Sequence, residues 1–153
     1  MDNKSTKYLD DILKNSKLDE IQDFLNNNQK AFIKNKKEFS FYFKDVLLTK
    51  GIMLKDLYSF AGYKESYASK IINMEKHTKD RDIIIRFCLA GRFTQKETNK
   101  ALKLYGFNEL YSKDNRDAVI AIAINNGVYD FATIDDLLEK YHLRILSRPQ
   151  EKI

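Results

Sequence analysis

Met53-Leu-Lys-Asp-Leu-Tyr-Ser-Phe-Ala-Gly62 and Tyr63-Lys-Glu-Ser-Tyr-Ala-Ser-Lys-Ile-Ile-Asn73 follow one another in the middle of the chain. Leu57 and Ala61 in the first stretch, and Ala68 and Ile71 in the second, recur at helical spacing. Gly62 between them accepts the left-handed conformation that closes a helix. The pattern predicts two short helices crossing closely over the small Ala68. Such a crossing projects the second helix outward, where it can enter a groove about 12 Å wide. On a helical wheel Glu65, Ser66, Ser69, Lys70 and Asn73 fall on its outer side, with Tyr67 at the edge. These are hydroxyl, amide and charged groups of the kind that read base edges. Lys55, Lys64, Lys76 and Lys79 flank them as phosphate contacts. His77, in the turn behind the second helix, reads either as one more phosphate contact or as a plain exposed turn residue.

Working outward, glycine and proline divide the rest of the chain. Gly51, Gly62, Gly91, Gly106 and Gly127 each close a segment with apolar residues at helical spacing, and Pro149 lies near the end. Ser40 and Thr133 read as helix starts, and Thr94-Gln-Lys-Glu97 has capping-box spacing. Strand alternation is nowhere sustained; the Val119–Ile124 run, bracketed by Arg116-Asp117 and a glycine stop, reads as a buried helix. The expectation is an all-α protein with helices at about 6–15, 18–28, 40–50, 54–61, 65–74, 80–90, 94–105, 116–126 and 133–142. Asn26-Asn-Asn-Gln29 and Lys34–Lys37 read as the joint between an N-terminal helical hairpin and the remainder. Arg81-Asp-Ile-Ile-Ile85, closed by Gly91, recurs as Arg116-Asp-Ala-Val-Ile120, closed by Gly127. Each copy is followed by a second amphipathic helix, so a helix pair repeats about every 35–36 residues. The second pair is expected to pack on the first and extend its core.

Charge is distributed unevenly. The total is +5, from 27 basic and 22 acidic residues, but residues 44–103 carry 13 basic and 7 acidic side chains and hold all the excess. That block is suited to an acidic partner such as nucleic acid. A hydrophobic content of 43% is too high for a disordered chain, and 153 residues form one domain-sized core. The polar N-terminus predicts no signal peptide, and no apolar run is long enough to span a membrane, which points to the cytoplasm. One cysteine, Cys88, sits among apolar neighbours and reads as a buried hydrophobe; with His77 and His142 far apart, no zinc set or nucleophile–base pair forms. No strand leads into a glycine cluster to cradle a phosphate. No catalytic residue, metal site or cofactor is expected, and the chain does not read as an enzyme.

From Phe39 to Gly106 the chain resembles the lambda-repressor-like (XRE-type) helix-turn-helix family. The matching residues are Lys50-Gly-Ile, Leu57 with Ala61-Gly62, Ser66-Tyr67 with Ile71, Arg81-Asp to Gly91, and Thr94 to Gly106. Glu109-Leu-Tyr111, the second Arg-Asp helix pair and the N-terminal extension are similar to a long bacterial form of that family. The resemblance implies a five-helix DNA-binding domain and transcriptional regulation, repressor-like, as a homodimer on double-stranded DNA. It divides the chain into an N-terminal helical extension (1–38), the helix-turn-helix domain (39–107), a C-terminal helix pair packed on it (108–146) and a frayed tail (147–153). Met53, Leu54, Tyr58, Glu65 and Met74 stand where the family commonly has a Ser or Thr cap, Gln, a small residue, a basic residue and Gly. These departures motivate an alternative: a helical adaptor or inhibitor, antitoxin-like or phage antidefence-like, that uses the same scaffold to bind a protein partner.

Overall fold

The structure, a computed structural model, describes residues 17–147 and, ahead of them, Lys7, Asp10, Asp11 and Lys14; within the first long helix, side chains are described at Ile21 and from Lys37 onward. Among the described residues there are seven α-helices and no strand, which bears out the all-α expectation at that level. They are α1 (Ile21–Lys50), α2 (Leu54–Ala61), α3 (Glu65–Ile72), α4 (Arg81–Ala90), α5 (Gln95–Tyr105), α6 (Asn115–Asn125) and α7 (Phe131–Lys140). The helix expected at 6–15 lies outside the described residues, apart from isolated positions.

The first correction concerns α1. The helices expected at 18–28 and 40–50 are one 30-residue helix. The asparagine and lysine stretches taken for a joint lie inside it, as does the boundary drawn at 38/39. Asparagine lowers helix propensity by only a few tenths of a kcal/mol, lysine favours helix, and the segment holds no Gly or Pro. Nothing in it can therefore stop a helix. Beyond residue 38 the inner face of α1 is Phe39, Phe43, Val46 and Leu47, all buried. Phe39 meets the edge of Tyr105 at 4.9 Å and Phe43 lies 4.7 Å from Phe93, ring centre to ring centre. This seats α1 on α5.

Side-chain caps start four of the remaining helices, α4 to α7. Asp80 and Asp114 accept the backbone N–H groups of Asp82 and Asp117 at the starts of α4 and α6. Thr94 and Glu97 form both halves of the capping box at 2.9 and 3.1 Å. Thr133 does not open α7. Asp130 does, accepting the Thr133 N–H at 3.0 Å, so the helix begins two residues earlier than expected. Gly51, Gly62, Gly106 and Gly127 have positive φ, as their closing positions require, but Gly91 does not: its φ is −84° and Arg92 takes the left-handed turn at 56°. Gly91 is instead a matter of space, since a Cβ there would stand 2.7 Å from the Phe93 ring and 3.0 Å from Leu47. α6 contains the Val119–Ile124 run, and its burial is one-sided: Ile120, Ala123 and Ile124 are buried while Ile122 is 61% exposed.

The two Arg-Asp copies lock onto each other. Arg81 donates to both oxygens of Asp117, each at 2.9 Å, and Arg116 to both oxygens of Asp82 at 2.9 and 2.7 Å. The remaining edge of each guanidinium holds backbone carbonyls, Asn108 and Glu109 for Arg81, Arg144 and Ile145 for Arg116. The carboxylates return the favour: Asp117 accepts the Tyr111 N–H and Asp82 accepts the Ser147 N–H, both at 3.0 Å. Each loop that leaves a helix pair is thus gripped by its own arginine and by the other copy's aspartate. The pairing is reciprocal, and it fixes the C-terminal pair against the first. Ser147, assigned to a frayed tail, is tied to Asp82 through its N–H and its hydroxyl. The rest of that tail, residues 148–153 with Pro149, lies outside the described residues.

Asp82 and Asp117 are nearly inaccessible, with side chains 4% and 8% exposed. Burial opposes their charge, but the arginine and backbone N–H hydrogen bonds outweigh it and hold both carboxyls below the usual aspartate range. A depressed folded pKa stabilises the protein fully above the unfolded value, about 3.9, and that stability is lost as pH falls through the folded value. Asp82→Asn should therefore flatten the acid limb of a plot of Tm against pH, measured by circular dichroism. Asp82→Ala strands Arg116 and should cost about 3–5 kcal/mol in urea unfolding. His142 sits at the place equivalent to Gly106 with φ of 60°; His142→Gly should stabilise by about 0.5–1 kcal/mol in the same assay.

Candidate nucleic-acid interface

α3 is only eight residues long, and one side of it is committed inward. Ala68, Ile71 and Ile72 are fully buried, beneath α2 residues Leu57, Tyr58 and Ala61. Its start has no side-chain cap: Lys64 is the N-cap residue and makes no cap hydrogen bond. Glu65 is the acidic residue of the first turn, where a carboxylate favours the helix dipole. The charge that looks misplaced for a phosphate-facing helix has this local structural use.

The candidate residues are distributed as follows. Glu65, Ser66 and Lys70 are exposed on α3, and Ser69 is half-buried with its hydroxyl turned back to the Ser66 carbonyl at 3.4 Å. Tyr67 is half-buried: its ring lies 5.7 Å from Tyr63, and the Lys76 ammonium sits 5.1 Å above it. Asn73 is not on the helix but at its C-cap, and its side-chain oxygen accepts from the Lys44 ammonium of α1. Lys55, Lys64, Lys76, His77 and Lys79 are all exposed. The structure therefore gathers Ser66 and Lys70 on one open face with Glu65. It keeps Tyr67 and Ser69 at the margin and gives Asn73 an anchoring contact. Among the described residues Lys55, Lys64, Lys70, Lys76 and Lys79 form no ion pair.

Two residues that position this face were not singled out from the sequence. Arg86 of α4 is 6% exposed, and its guanidinium donates to the Ala61 carbonyl at 2.9 Å, where α2 ends and the turn begins. The same guanidinium stacks 3.9 Å from the Phe131 ring, so the α2–α3 turn is linked through Arg86 to the C-terminal pair. The available signal was one arginine inside the apolar run Ile83–Leu89. The other is Tyr105, at the end of α5, whose hydroxyl accepts the Thr78 N–H at 2.8 Å. Its ring lies in a stack with His77 at 4.8 Å and Phe107 at 5.4 Å. Together these contacts hold the segment behind α3. Met74 begins that segment in the left-handed region, φ 60°.

Cys88 is fully buried and burial pushes its thiol pKa up, away from reactivity. Among the described residues no group of three or more His, Cys, Asp or Glu is arranged to hold a metal, and no helix is long and apolar enough to cross a membrane. Removing the Tyr105 hydroxyl tests the support behind α3. Tyr105→Phe leaves the buried Thr78 N–H without its partner and should cost about 1–3 kcal/mol in urea unfolding. Comparison with known proteins returned no match among protein-family models, curated proteins or solved structures.

Proposed function

We propose that the chain is a sequence-specific regulator that binds double-stranded DNA through a helix-turn-helix formed by α2 and α3, within a lambda-repressor-like domain. The observation that carries this reading is the outward face of α3: hydroxyl and ammonium groups stand exposed on a short helix, flanked by lysines that form no ion pair among the described residues. Lys64, Lys55 and Lys79 neutralise phosphates, and each phosphate neutralised adds about one unit to the salt dependence. Ser66 and Lys70 meet base edges in the major groove. A homodimer would set two such helices in successive major grooves about 34 Å apart.

A second reading, the adaptor that binds a protein, is favoured by one observation. Phe41 and Leu48 on α1, Met53 at the start of α2 and Phe60 on α2 are 62%, 80%, 59% and 62% exposed, a large apolar area for side chains of this size.

Fluorescence anisotropy with a labelled random duplex, titrated against salt, separates the two. The regulator binds in the micromolar range and loses affinity steeply as salt rises. No binding at low salt rejects it and leaves the adaptor. On a site selected from a random pool, Lys70→Ala should cost about 1–3 kcal/mol if the ammonium reads guanine. An equal loss on every sequence would reduce Lys70 to a phosphate contact.

A further inference from the structure

The two helix pairs share one hydrogen-bond plan, which sets α5 and α7 in register. Asn99 Oδ1 accepts the Leu110 N–H at 2.9 Å, and Asp135 Oδ1 accepts the Leu146 N–H at 3.0 Å. The Phe107 and Leu143 N–H groups return to the Leu102 and Leu138 carbonyls, both at 2.8 Å. Positions on α7 thus equal positions on α5 plus 36. In this register Lys100 and Lys103 correspond to Asp136 and Glu139. All four are exposed, and none forms an ion pair among the described residues. Equivalent faces of the two copies therefore carry opposite charge.

The lysine face is also concave. Lys96, Lys100 and Lys103 line an open groove of about 890 Å³ between α5 and the C-terminal end of α6, in which Glu109 is the one acidic side chain against three lysines, and the hydrogen bond from Asn125 to Gln95 closes it at one side. The groove does not continue the α3 surface. Lys100 lies over the Tyr42 ring, whereas Lys44 reaches Asn73 at the end of α3. Two steps along α1 turn about 200°, so the groove and α3 flank α1 on opposite sides. A duplex lying on α3 leaves the groove open.

We propose that a second copy of this chain occupies the groove, setting Asp136 and Glu139 of its α7 against Lys100 and Lys103. The contact made reciprocally gives a two-fold dimer with two equal salt-bridged seams. This inference stands on the repeat register and the groove, independently of DNA binding.

Sedimentation velocity on the full-length chain tests it. At low salt the mass should be twice the 18.0 kDa of one chain, falling toward one chain as salt screens the seams. Lys100→Glu with Lys103→Glu, and separately Asp136→Lys with Glu139→Lys, should each weaken association by about tenfold or more, with unchanged far-ultraviolet circular dichroism. Mixing the two double variants restores opposite charge across both seams and should restore the dimer. A wild-type chain that stays monomeric at low salt overturns the proposal, as does a dimer that neither variant weakens or a mixture that fails to associate. Loss of duplex binding in the lysine variant without any change in mass would assign the groove to nucleic acid and likewise overturn it.

Discussion

Four side chains, Arg81, Asp82, Arg116 and Asp117, hold the C-terminal half of this protein in one arrangement. Each guanidinium uses one edge for a carboxylate of the opposite helix pair and the other for carbonyls of its own exit loop. The planar fork of arginine is what makes this double use possible; an ammonium offers no second edge. Buried ion pairs give little net stability relative to apolar packing. Their effect here is selective. Any slip of one pair against the other would leave two buried carboxylates and two half-buried guanidiniums without partners, so only one register is tolerable.

That register reaches the candidate interface through short links. α4, which carries Arg81 and Asp82 at its start, carries Arg86 one turn later, and Arg86 holds the end of α2 while stacking on Phe131 of α7. α5 ends in Tyr105, which ties down the segment behind α3. A helix of eight residues has little stability of its own in water. α3 keeps its orientation because Ala68, Ile71 and Ile72 are sealed inside and both of its flanking turns are anchored to longer helices. Among the described residues the outward side chains of Ser66 and Lys70 form no hydrogen bond or ion pair, whereas Glu65 serves the helix N-terminus and Ser69 turns back to the Ser66 carbonyl.

Local features were legible in the chain, and they were the ones written in contiguous residues. The capping box at Thr94–Glu97, the glycine after α2, the helix through Val119–Ile124 and the existence of two Arg-Asp copies all follow from spacing within a turn or two. Four other features do not follow from such spacing, each for its own physical reason. Asn26–Gln29 and Lys34–Lys37 suggested a joint because polar runs often mark loops, yet helix termination needs a residue that cannot continue the ladder. Asp130 and Thr133 are both cap-forming types three positions apart, and spacing alone does not choose between them. Ser147 was assigned to a tail because its partner, Asp82, lies 65 positions away. Asn73 was placed on a helix face because the wheel continues past the point where the backbone turns off.

The sequence by itself determined that the chain is helical, which faces are apolar, that one arginine-aspartate unit is used twice, and that positive charge gathers in the middle block. These depend on neighbours within about four residues, whose geometry the helix dictates. Only the tertiary structure decided that the two units pair reciprocally rather than each within its own copy. It also decided that Arg92 rather than Gly91 takes the left-handed turn, and which polar side chains of α3 stay exposed. Those outcomes depend on which distant groups share a buried space, and a buried donor or acceptor accepts any partner of the right chemistry until packing leaves it one.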